Sequence, residues 1–482
     1  MILLLLILIP LFGGLLTLAT GKRGSIVPHI ITALALAAGL VLTISALVTR
    51  NNVRVIDFSS AWIPQLGIGM HLAADGLSLL LLTLTFLVSL LAVLISRENT
   101  HSGFYYFNIL WSVAGIAGVF LSADLFLFYF FWELMIVPVY FLISVWGHEN
   151  RVKASYKFFI YTQAGGLLML LSIVALYLIH GSATGSYTFN LWDLIGTPMT
   201  LPVEILIMAG FLAAFLVKLP SFLLHTWLPD AYTEAPLAGT IILSCLMSKT
   251  AAYGLIRFAV PLFPNASSVF APYAMAVGAI GILYGAKLAF SQTNLKRLIA
   301  YTSLSHMGFI LLGVYAFNET AYHGVVMQMI THGLSTCAMF IIAAQLYLRL
   351  NTRDITKMGG LWSGMPAMGA MGLIFSMALL GLPGLGNFIA EFLTLAGSFK
   401  ASVLFTSIAC IGLVLSTVYS LRIMQKVFFG NHIEDRPLKD LTLRESLILG
   451  FLAVAIVVTG LFPQIIIDIA GSALQNTALW TR

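Results

Sequence analysis

The sequence predicts an all-α polytopic membrane protein with about fourteen transmembrane helices. Its composition is the first observation: of 482 residues, 60% are hydrophobic and only 9% are charged, and the mean hydropathy is +0.99. A soluble domain carries about 25% charged residues. The second observation is that most apolar stretches are long enough to cross a bilayer. The third is that two of them are interrupted by proline, at Pro220 and Pro383.

The predicted spans follow one another with short loops between them. The first begins MILLLLILIP, without the basic residues that open a signal peptide, so we expect an uncleaved membrane helix. We expect residues 1–482 to form one integral membrane domain. The spans lie at about 2–20, 28–48, 76–96, 104–121, 124–146, 155–180, 203–224, 235–259, 268–290, 297–316, 322–349, 368–398, 403–428 and 446–470.

Lysine and arginine in the loops predict the orientation, because cytoplasmic loops are enriched in them. We expect the loops after odd-numbered spans in the cytoplasm and both termini in the periplasm, which requires an even number of spans. Fourteen basic residues follow odd-numbered spans: Lys22, Arg23, Arg97, Arg151, Lys153, Lys296, Arg297, Arg349, Arg353, Lys357, Lys426, Arg436, Lys439 and Arg444. Five follow even-numbered spans or lie in the tail: Arg50, Arg54, Arg257, Lys400 and Arg482.

The stretch FLVKLPSFLLHTWLPDAYTEAP places Lys218 deep in an apolar run, two residues before Pro220. Proline has no backbone N–H, so it breaks the helix behind it. Broken helices with buried charges are tolerated where they line a cavity or a water path. A second interruption, ALLGLPGLGNFIAEF, contains Pro383, and GLP stands there where the first has KLP. Two such breaks at matching places indicate a transporter-type inverted repeat.

The fifth span carries Glu133 near its middle, with no neighbour in sequence to neutralise it. Pro138 frees the carbonyl of Leu134, one residue away. Glu133 is either a structural carboxylate, ion-paired or protonated, or a proton carrier paired with Lys218. Burial and a nearby ammonium act on a carboxylate in opposite directions, so moving the partner would switch such a group.

Basic side chains continue this pattern along the chain. His225 follows Lys218 by seven residues and would share its face if the helix continued; it is either a core histidine or a relay member. Lys249 lies at the centre of the eighth span, with Ser244 and Ser248 nearby, and has no route along which to extend to either surface. Burial disfavours the charged form of lysine, which suits proton exchange.

The tenth and eleventh spans contain His306 and His332, and Gln328 shares a helix face with His332. Histidine titrates nearest to physiological pH. Metal binding is the alternative, but no carboxylate or cysteine stands at ligand spacing. The twelfth span presents Asn387 and Glu391 just after its break. We predict a proton relay crossing consecutive spans, formed by Glu133, Lys218, Lys249, His306, His332 and Glu391.

Several other functions lack support in the sequence. Cys245, Cys337 and Cys410 each lie alone in an apolar segment, so we expect no iron–sulfur or zinc site. No glycine-rich phosphate-binding motif occurs. The net charge of +6 is scattered through short loops, which disfavours nucleic-acid binding.

Five segments resemble a known family of membrane proteins: FFWELMIVPVYFLISVWGH, LVKLPSFLLHTWLPDAYTEAP, KRLIAYTSLSHMGF, HGLSTCAMF and GLPGLGNFIAEF. Nearly the whole chain is similar to the antiporter-like subunits, which include subunits L, M and N of respiratory complex I, Mrp-type cation/proton antiporters and membrane-bound hydrogenase subunits. The glutamate at position 391 is similar to the M-type members of bacterial NADH–quinone oxidoreductase, because the L, N and Mrp members typically have lysine at the matching position. Subunit L would also continue beyond GSALQNTALWTR into a long lateral helix.

The resemblance implies two inverted five-helix repeats, at about 104–259 and 268–428, with flanking helices in 1–96 and 446–470. It implies that Glu133 and Lys218 form a charged pair in a cytoplasmic half-channel and that Glu391 is the exit-side group. The central relay would be Lys249 with His306 and His332.

The resemblance also implies proton translocation coupled to electron transfer in other subunits of the complex. This chain would hold no cofactor; NAD, FMN, iron–sulfur clusters and quinone would belong to partner subunits. Its partners would be other membrane subunits, especially L and N, in the lipid bilayer of the cell inner membrane. Two alternatives remain: a cation/proton antiporter or hydrogenase subunit, which Glu391 disfavours at least for the Mrp type, and a scaffold with inert buried charges.

Overall fold

A computed structural model describes residues 1–21, 26–49, 55–96, 102–430 and 438–474, the side chains of 472–474 aside. Within these ranges, thirteen helices are long and apolar enough to cross a membrane, which confirms the all-α membrane class. They are Ile2–Thr20, Val27–Thr49, Gly76–Ile95, Gly103–Leu121, Leu125–Trp146, Arg151–Thr184, Leu201–Lys218, Leu237–Leu262, Pro264–Ser291, Leu295–Val314, Glu319–Leu350, Val403–Phe428 and Leu443–Leu461. Seven residues used above for orientation lie outside the described ranges: Lys22, Arg23, Arg50, Arg54, Arg97, Arg436 and Arg482.

The remaining predicted span, 368–398, consists of two shorter helices, Pro366–Leu380 and Gly386–Ala401. Gly381 and Gly384 join them with φ of 77° and 94°. Only glycine adopts such left-handed angles without steric cost. The predicted break at this place is therefore confirmed.

The other predicted break, at Pro220, also exists. The helix Leu201–Lys218 ends at Lys218, where the Leu219 N–H donates to the Phe215 carbonyl. Pro220 cannot continue the hydrogen-bond ladder, and the next helix is Trp227–Glu234. The predicted span end at 224 is wrong, and so is the expectation that His225 shares a helix face with Lys218.

The fifth span bends beside its carboxylate. Its two parts, Leu125–Leu134 and Ile136–Trp146, meet at Met135. The side chain of Asp124 starts the first part by accepting hydrogen bonds from the N–H groups of Phe126 and Leu127. Because Pro138 cannot donate to the Leu134 carbonyl, the interruption falls directly after Glu133.

A β-hairpin that the sequence analysis did not predict precedes the third long helix. Strands Ile56–Ile63 and Ile68–Ala74 pair antiparallel, with Ile56 opposite Ala74. Single β-bridges then join Leu72 to Ser122 and Asp124 to Asn190. The hairpin therefore lies at the end of the helix bundle where Gly103–Leu121 finishes and Leu125–Leu134 begins.

Short elements complete the described chain. They are the helices Leu191–Leu194, Leu361–Gly364 and Gln464–Leu474 and the 3₁₀ turns Pro64–Leu66 and Ile355–Lys357.

The chain divides into two compact units. Unit 1 comprises Met1–Pro220, Glu234–Pro272 and the chain from Ile469 onward, and Leu237–Leu262 lies buried in its core. Unit 2 comprises Ser221–Thr233 and Tyr273–Asp468, and its most buried helices are Leu295–Val314 and Glu319–Leu350.

Candidate functional site: buried ionisable residues in both units

Six ionisable side chains that the sequence singled out lie inside apolar helices or at their breaks. Glu133, Lys218 and Lys249 belong to unit 1, and His306, His332 and Glu391 belong to unit 2. Glu133 is half-buried, and the other five are at most 2% exposed. Isolated charges in hydrocarbon are costly, by about 2.5–3.5 kcal/mol on insertion scales, so each of them needs a polar neighbour or a neutral state.

Glu133 occupies a small polar site inside unit 1. Tyr129, one turn earlier on the same helix, and Gln163 lie beside its carboxylate. Gly166 leaves the space that its Oε1 occupies, because a Cβ there would collide with this oxygen. Among the described residues, Oε1 has no hydrogen-bond donor. The site therefore holds the carboxylate without fully neutralising it.

Lys218 does not touch Glu133 in this structure. Its Nζ lies 3.6 Å from the centroid of the Trp132 ring and has no hydrogen-bond acceptor among the described residues. An ammonium over an indole face gains a cation–π attraction, strongest when water is excluded. The two side chains are near enough to influence each other electrostatically, although no ion pair joins them among the described residues.

Lys249 is fully buried in the helix Leu237–Leu262. Its Nζ donates to the Ser244 carbonyl at 2.8 Å and to Ser248 Oγ at 3.3 Å, so both predicted serine neighbours are confirmed. The helix is π-helical over Ile242–Met247 and again over Leu255–Ala259. Such widened turns recur at functional sites. Here the side chain of Lys249, just after the first π-helical segment, bonds a carbonyl within that segment.

The unit 2 cluster brings together three residues from three helices. His306 Nε2 lies 3.5 Å from Glu391 Oε1, which is an ion pair when the imidazole is protonated and the carboxyl group is ionised. The His306 and His332 rings meet edge to face, with centroids 5.3 Å apart. Asn387 lies one helical turn before Glu391, and Ser335 lies one turn after His332. Asn387 Nδ2 donates to Ser335 Oγ at 3.2 Å. An acid and two imidazoles within a few ångströms can pass a proton among themselves.

Two further candidates lie in less definite positions. Gln328 is buried on the helix that carries His332, and its amide has no hydrogen-bond partner among the described residues. His225 lies between two helices, 5% exposed, with its ring against those of Tyr284 and Tyr301 at 5.3 and 6.5 Å. His225 therefore has an aromatic surrounding of its own in unit 2.

Sequence reasoning missed Trp132, the π-helical turns and the contact of Gly381, a residue of the predicted break, with Glu391. Trp132 is next to Glu133 in the sequence but has no ionisable group. A Cβ at Gly381 would meet Glu391 Oε2 at 2.6 Å, so glycine lets the carboxylate approach the break. Within the described ranges, no group of three or more His, Cys, Asp or Glu residues could hold a metal ion.

Broken apolar helices carrying buried lysine, histidine and carboxylate define the class of antiporter-like membrane subunits. The transmembrane family model described as NADH:quinone oxidoreductase/Mrp antiporter matches residues 122–417. More particularly, the chain belongs to the NADH-quinone oxidoreductase subunit M family. It is 48% identical to subunit M of Escherichia coli K12, over 98% of this chain and 97% of that protein. It is also 48% identical to subunit M of Pseudomonas aeruginosa PAO1, over 100% and 98%.

Solved structures agree with this assignment. A chain of respiratory complex I from Thermus thermophilus with bound NADH has a TM-score of 0.90 and 30% identity, covering 98% of this chain and 99% of that one. The Mrp complex from Dietzia sp. DQ12-45-1b has a TM-score of 0.89 and 21% identity, covering 98% and 97%, which shows a shared fold.

Proposed function

We propose that this chain is the proton-translocating membrane subunit of an NADH–quinone oxidoreductase and that its six buried ionisable residues carry the protons. The observation that carries the proposal is Lys249, which is fully buried in a span that is itself wholly buried. A lysine there contributes little to folding and cannot reach either surface. Exchange of its proton gives a reason for its position.

Glu133 and Lys218 act as the electrostatic control of this exchange. Opening or closing an ion pair at about 4 Å, with an effective dielectric constant near 20, changes the energy by about 4 kcal/mol. An energy of that size shifts a proton equilibrium by about a thousandfold. Because Lys218 rests on Trp132 rather than on Glu133, the structure corresponds to the open state of this control.

His306, His332 and Glu391 form the part of the relay that lies in unit 2. The 3.5 Å contact between His306 and Glu391 supports direct proton transfer between imidazole and carboxylate. Glu391 is the exit-side group. Gln328 and His225 are additional members of this relay.

The surrounding assembly follows from the same proposal. Redox chemistry with NAD, FMN, iron–sulfur clusters and quinone takes place in partner subunits. The chain forms one integral membrane domain with inverted repeats at about 104–259 and 268–428. It lies beside subunits L and N in the cell inner membrane, with both termini in the periplasm.

NADH-driven proton uptake into vesicles tests the proposal. The assembled complex is purified from its own membranes in mild detergent and reconstituted, with Lys249→Ala and Glu391→Gln compared with the unaltered protein. We expect both variants to keep the complex assembled and to lose most proton uptake per electron. As a matched control, Glu445→Gln removes a carboxylate that pairs with Arg349 at 2.7 Å, and it should leave this ratio unchanged.

Two results would contradict the proposal. Normal pumping by Lys249→Ala complex would make the buried charges a structural scaffold. Purification without flavin and iron–sulfur subunits, together with sodium-dependent proton exchange, would instead identify a cation/proton antiporter.

A further inference from the structure

A second buried charge cluster, made of residues outside the six relay positions, lies in unit 1. Arg257 forms an ion pair with Asp75, the residue before the helix Gly76–Ile95. Asp75 is 2% exposed and the Arg257 side chain 13%. Tyr253 lies beside them, 1% exposed, with its hydroxyl bonded to Ser78 and Arg257. The relay assigns no role to these four residues.

Two members of the cluster, Tyr253 and Arg257, lie on the helix that carries Lys249. Tyr253 and Arg257 follow Lys249 by four and eight residues, which corresponds to about 6 and 12 Å along a helix axis. They lead from the middle of the membrane toward the hairpin end of unit 1. A cavity at that end is lined by Asp75, Ser122, Leu191, Trp192, Tyr253 and Arg257, among others. A proton that leaves Lys249 toward the hairpin end would therefore have to pass Tyr253, Arg257 and this cavity.

The hydrogen bonds along this route do not form a proton wire. The Tyr253 hydroxyl donates to the Phe120 carbonyl at 3.0 Å, and Arg257 Nε donates to the Tyr253 oxygen at 3.3 Å. Because a phenol has one proton, Ser78 Oγ at 3.2 Å must also donate to that oxygen. A backbone carbonyl has no proton to pass on, so the chain of donors ends at Phe120.

The charge of Arg257 adds an electrostatic barrier. A guanidinium stays protonated at all physiological pH values, so it cannot relay a proton by releasing one. A fixed cation in a narrow polar passage also repels an approaching proton, as arginine does in proton-excluding channels. Asp75 holds the guanidinium in place across the route.

From these contacts we infer that Arg257, held by Asp75 and Tyr253, is a proton seal. It prevents protons that reach Lys249 from leaving at the hairpin end of unit 1. The inference rests on the proposed proton relay and adds a specific function for residues outside it. Without the seal, an exchangeable Lys249 would let protons pass through unit 1 in the absence of electron transfer.

Passive proton leak is the measurement that tests the seal. The whole complex is reconstituted into vesicles containing a pH-sensitive dye, with no NADH, the membrane voltage clamped by valinomycin and potassium, and a pH step imposed. We expect Arg257→Gln to raise the leak several-fold while the NADH–quinone electron-transfer rate is retained. Asp75→Asn is the matched control, because its amide oxygen can still accept a hydrogen bond from Arg257 and so hold the cation in place without the carboxylate charge; this variant should remain tight.

A double variant identifies the route of the leak. In Lys249→Ala/Arg257→Gln complex the leak should return to the unaltered level, because Lys249 no longer supplies protons. Three results would overturn the seal: a tight Arg257→Gln complex, an Asp75→Asn complex that leaks equally, or a leak that persists in the double variant. These leak measurements test only the seal. The relay is tested separately, by the proton uptake per electron of the Lys249→Ala complex.

Chemical rescue keeps the test decisive if Arg257→Gln complex does not assemble. In Arg257→Cys complex, a cationic methanethiosulfonate reagent should restore tightness, whereas a neutral one of similar size should not. The unaltered protein treated in the same way controls for its own cysteines, of which Cys245 and Cys337 are buried and Cys410 is exposed. Equal leak after both reagents would contradict an electrostatic seal.

Discussion

At the scale of single residues, the buried lysines of unit 1 use two different neighbours to remain in the membrane. Lys249 donates to a backbone carbonyl and a serine hydroxyl, which are fixed dipoles. Lys218 rests on an aromatic face, which offers attraction without a hydrogen bond. The second arrangement is easier to leave, because only a cation–π contact must be broken for Lys218 to reach Glu133. Lys218 is thus suited to movement and Lys249 to a fixed position.

Trp132→Leu tests the role of the indole ring that Lys218 contacts. A desolvated cation–π contact contributes about 2 kcal/mol, so its loss should shift Lys218 toward Glu133 by about 30-fold. We expect lower NADH-driven proton uptake per electron in reconstituted vesicles. Trp111→Leu is the control, because Trp111 donates to the Leu11 carbonyl and packs against Phe107, neither of which belongs to the relay. Equal pumping ratios in the two variants would mean that Trp132 only fills space.

At the scale of elements, each broken helix has a charged residue close to its interruption. Pro220 ends a helix directly after Lys218, and Pro138 interrupts another directly after Glu133. The second unit uses glycine instead, since Gly381 and Gly384 turn the chain just before Glu391. The breaks therefore determine where polar side chains can be held inside an apolar bundle.

Gly381→Ala tests how closely the break at Gly381 packs against the carboxylate of Glu391. The new Cβ would lie 2.6 Å from Glu391 Oε2, and φ is 77°, so we expect displacement of the carboxylate from His306 as well as backbone strain of about 1–2 kcal/mol. Proton uptake per electron should fall.

Gly384→Ala separates the two effects of that substitution. Its φ is 94°, but a Cβ there meets nothing within 4 Å, so it carries the strain without the collision. We expect lower thermal stability of the complex with a normal pumping ratio. If Gly384→Ala pumps as poorly as Gly381→Ala, the contact with Glu391 is not the cause.

At the scale of the whole molecule, each compact unit contains part of the ionisable set. Unit 1 holds two lysines and a glutamate, and unit 2 holds two histidines and a glutamate. The lysine-rich set responds to electrostatic changes, while imidazoles titrate near physiological pH. In the proposed relay, the first unit thus contains both the electrostatic control and the exchangeable Lys249, and the second unit contains the imidazole–carboxylate part.

The predicted topology is tested by fusions at the carboxyl end. If both termini are periplasmic, a full-length fusion to alkaline phosphatase should be active and a fusion to green fluorescent protein should be dark. The same reporters placed after residue 430, beyond Val403–Phe428, should give the opposite result. A fluorescent full-length fusion would reverse the assigned orientation.

The sequence by itself determined the membrane class, because apolar length and the scarcity of charge follow directly from the cost of polar groups in hydrocarbon. It also determined the positions of Lys249, Glu391 and the break at Pro383. A charge in an apolar segment is costly, and a proline removes a helical hydrogen bond, in any arrangement of helices. The motifs of the broken helices were sufficient to indicate the family.

Only the tertiary structure decided which side chains meet. The helix end at Lys218 removed the expected alignment with His225, because helical spacing applies only while the hydrogen-bond ladder continues. The contacts of Lys218 with Trp132 and of Arg257 with Asp75 join separate helices or segments. Such contacts depend on how the helices pack, and neither hydropathy nor local spacing contains that information.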